Sequence, residues 1–121
     1  MSAPNLANIS TITAKSVQAT LNTTLTTEIL ANAGSSGKVF KVNNILVANI
    51  DGTTSANASV AITKSGGSPI MIASTIAVPA DSSLVVVDRN TNLYLEEGDN
   101  IESGASANSD LTITINYEEL S

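Results

Sequence analysis

Residues 38–52 carry a long alternation of apolar and polar side chains, and the other elements are predicted around this stretch. Side chains of a strand point alternately to its two faces, so the pattern predicts a long strand with one buried face. Ile45 and Val47 interrupt the polar face, so the second half is either covered on both sides or bulged near Asn43 and Asn44. The positions expected to face the core are Phe40, Val42, Asn44, Leu46, Ala48 and Ile50.

Shorter runs with the same period, separated by turn sequences, predict further strands over residues 15–22, 23–31, 58–62, 70–78, 84–87, 93–95 and 111–117, with one more beginning at Ile101. The buried faces are expected to include Ile70, Ile72, Ile76, Val78, Leu111, Ile113, Ile115 and Tyr117. Eight to nine short strands with turn signals at short intervals predict an all-β fold, an antiparallel β-sandwich that is jelly-roll-like.

The N-terminal segment is small and polar except for three aliphatic residues at a spacing of three, Leu6, Ile9 and Ile12. We interpret residues 1–14 as an extended N-terminal arm whose three aliphatic side chains bind a partner, and residues 15–121 as a single sandwich domain. A frayed terminus is the alternative. Removing residues 1–13 is therefore expected to leave the sandwich folded and to weaken its attachment.

The composition points to assembly. The chain of 121 residues is large enough for one domain, and its hydrophobic content of 42% is almost wholly aliphatic. Charged residues make up 13% of the chain, about half of the ~25% typical of globular domains. Neutral polar surfaces are desolvated easily on contact, and residues 20–27 carry no charge that would guard a strand edge. We expect self-association, as a trimer or as tightly packed neighbours.

Several function classes are disfavoured by the residues present. A net charge of −6 with scattered basic residues argues against nucleic acid, and no apolar run approaches the ~20 residues of a membrane span. Without His or Cys, the chain has neither a Ser-His nor a Cys-His nucleophile and lacks the favoured ligands of zinc. We therefore expect no enzymatic activity and no cofactor. The N-terminus has no secretion signal, which indicates synthesis in the cytoplasm.

The densest acidic cluster is Glu96, Glu97, Asp99 and Glu102. Carboxylates with loop carbonyls are able to hold Ca²⁺, but the spacing matches no calcium loop, and an exposed hairpin turn explains the cluster equally well. A glycosidase carboxylate pair is disfavoured because a sugar cleft usually has aromatic platforms, and this chain has no Trp and two Tyr. The prediction is a turn without metal, with cation binding left open.

Three motifs follow one another in a characteristic order: residues 37–52 with their Asn-containing strand, Ile76-Ala-Val-Pro-Ala-Asp81, and Leu93-Tyr-Leu-Glu-Glu-Gly-Asp99. Together with Ala107-Asn-Ser-Asp-Leu111 and the ending Tyr117-Glu-Glu, the order resembles that of small virion structural proteins of tailed bacteriophages, over about residues 24–119.

This resemblance implies a β-sandwich or jelly-roll module located on the virion, often a capsid decoration (cement) protein bound to the major capsid protein or other virion proteins. The alternatives are a tail, neck or fibre component and, as a third class, a host-surface glycan-binding module. The scarcity of aromatic residues disfavours the glycan-binding module.

Overall fold

The computed structural model describes residues 6–25, 28–91 and 93–121, and these form an all-β fold of nine strands in two antiparallel sheets. A short 3₁₀ turn at Leu6–Asn8 precedes the first strand. The strands are β1 (Ile12–Thr20), β2 (Glu28–Ala31), β3 (Val39–Asn49), β4 (Ala56–Thr63), β5 (Ile70–Val78), β6 (Ser83–Val87), β7 (Leu93–Leu95), β8 (Asn100–Ala105) and β9 (Leu111–Leu120). The predicted fold class is confirmed.

The two sheets have the strand pairing of a jelly roll. The first sheet has the order β1-β9-β3-β6, with β7 also paired to β3, and the second has the order β2-β8-β4-β5. The pairings are nested, since β1 pairs with β9, β2 with β8, β3 with β6 and β7, and β4 with β5. The chain is thus one long antiparallel ribbon that is rolled so that β9 meets β3 and β8 meets β4.

A bulge in β3 decides which of its side chains reach the core. Its register against β9 shifts between Val42 and Asn44, so that Asn43 is the extra residue. Phe40 and Val42 are buried as predicted. Beyond the bulge the buried positions are odd-numbered, Ile45, Val47 and Asn49. The predicted Asn44, Leu46, Ala48 and Ile50 face outwards or remain exposed. Of the two alternatives for this strand, the bulge is the one observed.

The core between the sheets is aliphatic, with one aromatic contact at its end. The predicted inward residues of β9, Leu111, Ile113, Ile115 and Tyr117, are all buried. The ring of Tyr117 lies 5.1 Å from that of Phe40, centroid to centroid, in a tilted arrangement that aromatic pairs favour.

The N-terminal part of the sheet differs from the prediction. β1 begins at Ile12, three residues before the expected boundary at Lys15, and runs along the whole of β9. Of the strand predicted over residues 23–31, the described residues form β2, Glu28–Ala31, while residues 26 and 27 lie outside the described part of the chain. Thr24 and Leu25 pass over the outer face of the second sheet, so close to Gly104 that a Cβ there would lie 3.2 Å from the Leu25 backbone. Gly104 permits this crossing because it has no side chain.

The buried face predicted for β5 is observed only in part. Val78 is buried and Ile72 packs against the core, but Ile70 is 62% and Ile76 is 42% exposed. β5 is an edge strand of its sheet, so no strand lies beside its outer side and several of its apolar side chains stay exposed. Alternation alone does not distinguish an edge strand from a central one.

Two buried asparagines fix the loops at opposite ends of β3. Asn32, before the strand, donates to the carbonyls of Lys38 and Leu95 at 2.9 and 3.0 Å. Asn49, at its end, donates to the carbonyls of Thr54 and Val78 at 3.0 and 2.9 Å. A buried amide whose donors are satisfied in this way specifies the path of several loop segments at once.

Candidate functional site

A polar cleft lies on the outer face of the first sheet, beside the bulge of β3. Its volume is about 420 Å³. Core residues alternate with outward ones, so the side chains of β3 and β9 that do not enter the core reach this cleft. The residues that line it are Lys41, Asn43, Asn44, Arg89, Asn116 and Glu118.

The β3 bulge gathers three amide side chains at the floor of the cleft. Asn44 pairs with Asn116 across the two strands, and Asn116 Nδ2 donates to Asn44 Oδ1 at 2.7 Å. The extra residue Asn43 lines the same cleft. Without the bulge, Asn43 and Asn44 would point to opposite faces of the sheet, because neighbouring residues of a strand alternate.

Among the described residues, the basic side chains that form no ion pair with a carboxylate are found in the cleft. Lys15 and Lys38 both pair with Glu119, at 3.2 and 3.0 Å. Lys64 pairs with Glu96 and Asp99. Within the part of the chain that the structure describes, the two remaining cations, Lys41 and Arg89, form no ion pair, and both line the cleft.

The loop between β6 and β7 positions Arg89 over the cleft. Asp88 Oδ1 accepts hydrogen bonds from the backbone N–H of Asn90 at 2.9 Å and from the Thr91 hydroxyl at 3.2 Å. These bonds form a local turn and engage the Asp88 carboxylate, which is next to Arg89 in sequence. Tyr94 on β7 is 43% exposed and lies directly opposite Lys41 in the pairing register, so its side chain is the cross-strand neighbour of a residue that lines the cleft.

The three residues predicted to bind a partner are placed differently from one another. Leu6 belongs to the 3₁₀ turn, and its side chain lies outside the described part of the structure. Ile9 is partly buried, and Ile12 is 61% exposed on the edge strand β1. Ser10 and Thr11 donate backbone hydrogen bonds to the Ser121 carbonyl, at 2.8 and 2.9 Å, and so anchor this segment to the C-terminus. Their role in partner binding stays a prediction.

The carboxylates of the predicted acidic cluster are occupied by donors of the protein itself. Burial raises the pKa of Asp99, but hydrogen bonds from Lys64 and from the Glu96 and Ser65 backbones outweigh it and leave the pKa below its usual value. Glu97 accepts from the Gly37 N–H at 2.9 Å. The cluster therefore stabilises the turn between β7 and β8. Among the described residues no group of three or more acidic side chains is arranged to hold a metal ion.

The backbone of this turn requires glycine. Gly98 has a φ of +86°, and a Cβ at this position would lie 2.8 Å from the Cβ of Ser65. The Gly98 N–H donates to the Asn32 carbonyl at 2.8 Å, which joins the turn to the loop before β3. Close approach and positive φ together exclude any side chain at this position.

A second surface is apolar and lies along one side of the sandwich. The edge strands β5 and β6 contact each other there, and β5 carries no charged residue over its nine positions. Ile70, Met71 and Ile76 on β5 and Val85 on β6 are exposed apolar residues. We refer to these four residues as the apolar edge.

The sequence did not identify the cleft, although a bulge near Asn43 and Asn44 was one of the two alternatives that it offered for β3. Asn116 and Arg89 are distant from this point in sequence, and only the pairing of β3 with β9 and with the β6–β7 segment brings them together. Comparison with protein-family models, curated proteins and solved structures finds no match to this chain. None of the described residues forms a helix long and apolar enough to cross a membrane.

Proposed function

We propose that this protein is a non-enzymatic structural component of a bacteriophage virion and decorates the outside of the head, where it binds the major capsid protein. The observation that carries the proposal is the apolar edge. Exposed apolar side chains on an uncharged edge strand, such as Ile70, Met71 and Ile76, are unfavourable in water and become stabilising when a partner covers them. The order of sequence motifs that resembles phage virion proteins supplies the identity of that partner.

The backbone of β5 indicates how the partner binds. Its register against β4 shifts twice, and Thr75 has a φ of +48°. A left-handed, β-branched residue interrupts the row of backbone groups that a continuous added strand would need. Side-chain burial, not strand addition, is therefore the proposed mode of contact. Complete burial of a fully exposed aliphatic side chain contributes about 1.5–3 kcal/mol, and these side chains are about half exposed, so each would contribute about half of that.

Decoration by this mode would reinforce a head by adding contact area across the joints between capsid subunits. Any ligand that binds only the assembled state stabilises it by mass action, and a protein repeated over the whole shell does so at every joint. Self-association of neighbouring copies, as a trimer or a packed layer, would extend the same effect. The chain has no His and no Cys, so a Ser-His or Cys-His nucleophile is not available to it.

The decisive experiment counts the copies of the protein in purified virions by quantitative mass spectrometry and locates them by electron cryomicroscopy. Decoration of a symmetric shell requires on the order of hundreds of copies, spread over the head. About a dozen copies or fewer, confined to one vertex or to the tail, would contradict decoration and favour the neck, tail or fibre instead. Light scattering after size exclusion measures self-association of the free protein.

A further inference from the structure

The net charge of the cleft is opposite to that of the protein. The chain carries −6 overall, whereas the cleft holds Lys41 and Arg89 against the single carboxylate of Glu118. Glu118 is the direct cross-strand neighbour of Lys41, but no ion pair joins the two side chains. A site with two cations and one carboxylate matches a ligand with one negative charge better than a polyanion such as a phosphate chain.

The amides of the cleft retain hydrogen-bonding capacity. The bond from Asn116 to Asn44 uses one N–H of Asn116 and one lone pair of Asn44. Both N–H groups of Asn44 and the carbonyl oxygen of Asn116 form no other hydrogen bond with the residues that the structure describes, and neither does the Asn43 amide. Donors and acceptors side by side on a rigid sheet match neighbouring hydroxyl groups, each of which both donates and accepts.

The dimensions of the cleft and its rim fit a small ligand. A volume of about 420 Å³ lies within the range of ~300–1,000 Å³ that small-molecule sites occupy. The exposed ring of Tyr94, next to Lys41, offers a flat apolar surface at the rim. Amides, one aromatic face and a net positive charge together describe a site for a hydroxyl-rich ring that carries an acid group.

We infer that the cleft binds a saccharide unit that bears a single carboxylate. Lys41 and Arg89 contact the carboxylate, the three asparagines hydrogen-bond the ring hydroxyls, and Tyr94 packs against one face of the ring. The cleft lies on the outer face of the first sheet, whereas three of the four residues of the apolar edge are on β5 of the second sheet. The two proposals rest on different residues, so failure of one leaves the other intact.

The test is an NMR titration of the full ¹⁵N-labelled chain with three probes: D-glucuronate, D-glucose and acetate. Glucuronate presents both the hydroxyls and the carboxylate, whereas each of the other probes presents only one of them. We expect glucuronate to bind with a dissociation constant on the order of 1 mM, as suits a small rigid ligand with few contacts. Its shifts should be concentrated at the cleft, and both other probes should bind about tenfold more weakly.

Matched variants distinguish the contacts of the two basic side chains with the carboxylate from the contacts of the asparagine amides with the hydroxyls. Arg89→Gln and Lys41→Gln should each weaken glucuronate binding about tenfold and leave the weak binding of glucose unchanged. Lys15→Gln is the charge-matched control outside the cleft, because Glu119 keeps its second partner, Lys38. Asn116→Ala should weaken both sugars, with Asn57→Ala on the other sheet as its control. The dispersion of each variant's amide spectrum shows that it is folded.

Three results would overturn the inference. Equal affinities for acetate and glucuronate would show that the cleft binds carboxylates in general, as a surface that contacts acidic side chains of a partner protein does. Equal affinities for glucose and glucuronate would show that Lys41 and Arg89 do not contact the carboxylate of the ligand. Absence of shifts at the cleft up to about 50 mM glucuronate, far above the expected dissociation constant, would mean that no such site exists.

Discussion

Asp99, whose side chain is 2% exposed, accepts a hydrogen bond from Lys64 on the neighbouring strand segment. The pairing of β4 with β8 ends at Thr63 and Asn100, so the next residue outwards on each strand is one member of this pair. Asp99 also accepts from the backbone N–H groups of Glu96 and Ser65 at 2.8 and 3.0 Å. One buried carboxylate thus joins the turn after β7 to the turn after β4.

Replacing this carboxylate should destabilise the fold. Asp99→Asn loses the charged hydrogen bond to Lys64 and weakens the two backbone bonds, which we expect to lower the free energy of unfolding by about 2–4 kcal/mol at neutral pH. Glu96→Gln is the matched control, because Glu96 pairs with the same lysine but is exposed, and its loss should cost less than about 1 kcal/mol. Urea denaturation measures both. Equal effects would contradict the buried role of Asp99.

The same residue predicts how stability depends on pH. The pKa of Asp99 is lowered in the folded state, so its contribution is present above the unfolded pKa of about 3.9 and is lost as the pH falls through the lower, folded pKa. Asp51, whose pKa is lowered to about 2 by hydrogen bonds from Thr54 and Thr53, acts in the same direction. Thermal melts of the wild type and Asp99→Asn should therefore converge as the pH falls below about 4. A constant difference would contradict this assignment.

Asn49 should be among the residues least tolerant of substitution. Its amide donates to the carbonyls of Thr54 and Val78, and its oxygen accepts from the Asp51 N–H at 2.9 Å. Asn49→Leu leaves these backbone groups without a partner, one of them buried, and we expect a loss of about 2–4 kcal/mol in urea denaturation. Asn57→Ala, on an exposed side chain of β4, should change stability by less than about 0.5 kcal/mol.

Because the N-terminal segment is hydrogen-bonded to the C-terminus, we expect its truncation to lower the stability of the fold. Deleting residues 1–13 removes the start of β1 and the hydrogen bonds of Ser10 and Thr11 to Ser121, so it should lower the unfolding free energy by about 1–3 kcal/mol. Deleting residues 1–8 retains these contacts and should therefore lower thermal stability less than the longer deletion does. Binding of both truncated chains to stripped heads then tests the predicted partner-binding role of Leu6, Ile9 and Ile12. Unchanged binding by the longer deletion would eliminate that role.

A charged side chain on the apolar edge should weaken attachment to the head while leaving the protein folded. Ile76→Lys places an ammonium group in the proposed contact, where burial without a partner is costly, and should reduce binding to stripped heads at least tenfold. Because Ile76 is already 42% exposed, we expect a loss of stability of about 1 kcal/mol or less. Gln18→Lys on the opposite edge strand, β1, is the control with a comparable charge. Equal binding by both variants would place the contact elsewhere.

The residue pattern alone determined the class of fold, the approximate positions of most strands and the inward face of β9. This succeeds because the period of two is a local property: whichever strand lies beside β9, Leu111, Ile113 and Ile115 share one face. The absence of His and Cys, and the small number of charges, are likewise properties of the chain that no folding alters.

Tertiary structure decided which strands are edges and which distant residues meet. β5 has the apolar pattern of a buried strand and is nevertheless mostly exposed, because its place in the sheet depends on every other pairing. The bulge at Asn43 reverses the faces of β3 beyond it, and only the register against β9 fixes the position of that bulge. The cleft unites Asn44 with Asn116 and Arg89 for the same reason. Its members are separated along the chain and become neighbours only when the nested ribbon is rolled into two sheets.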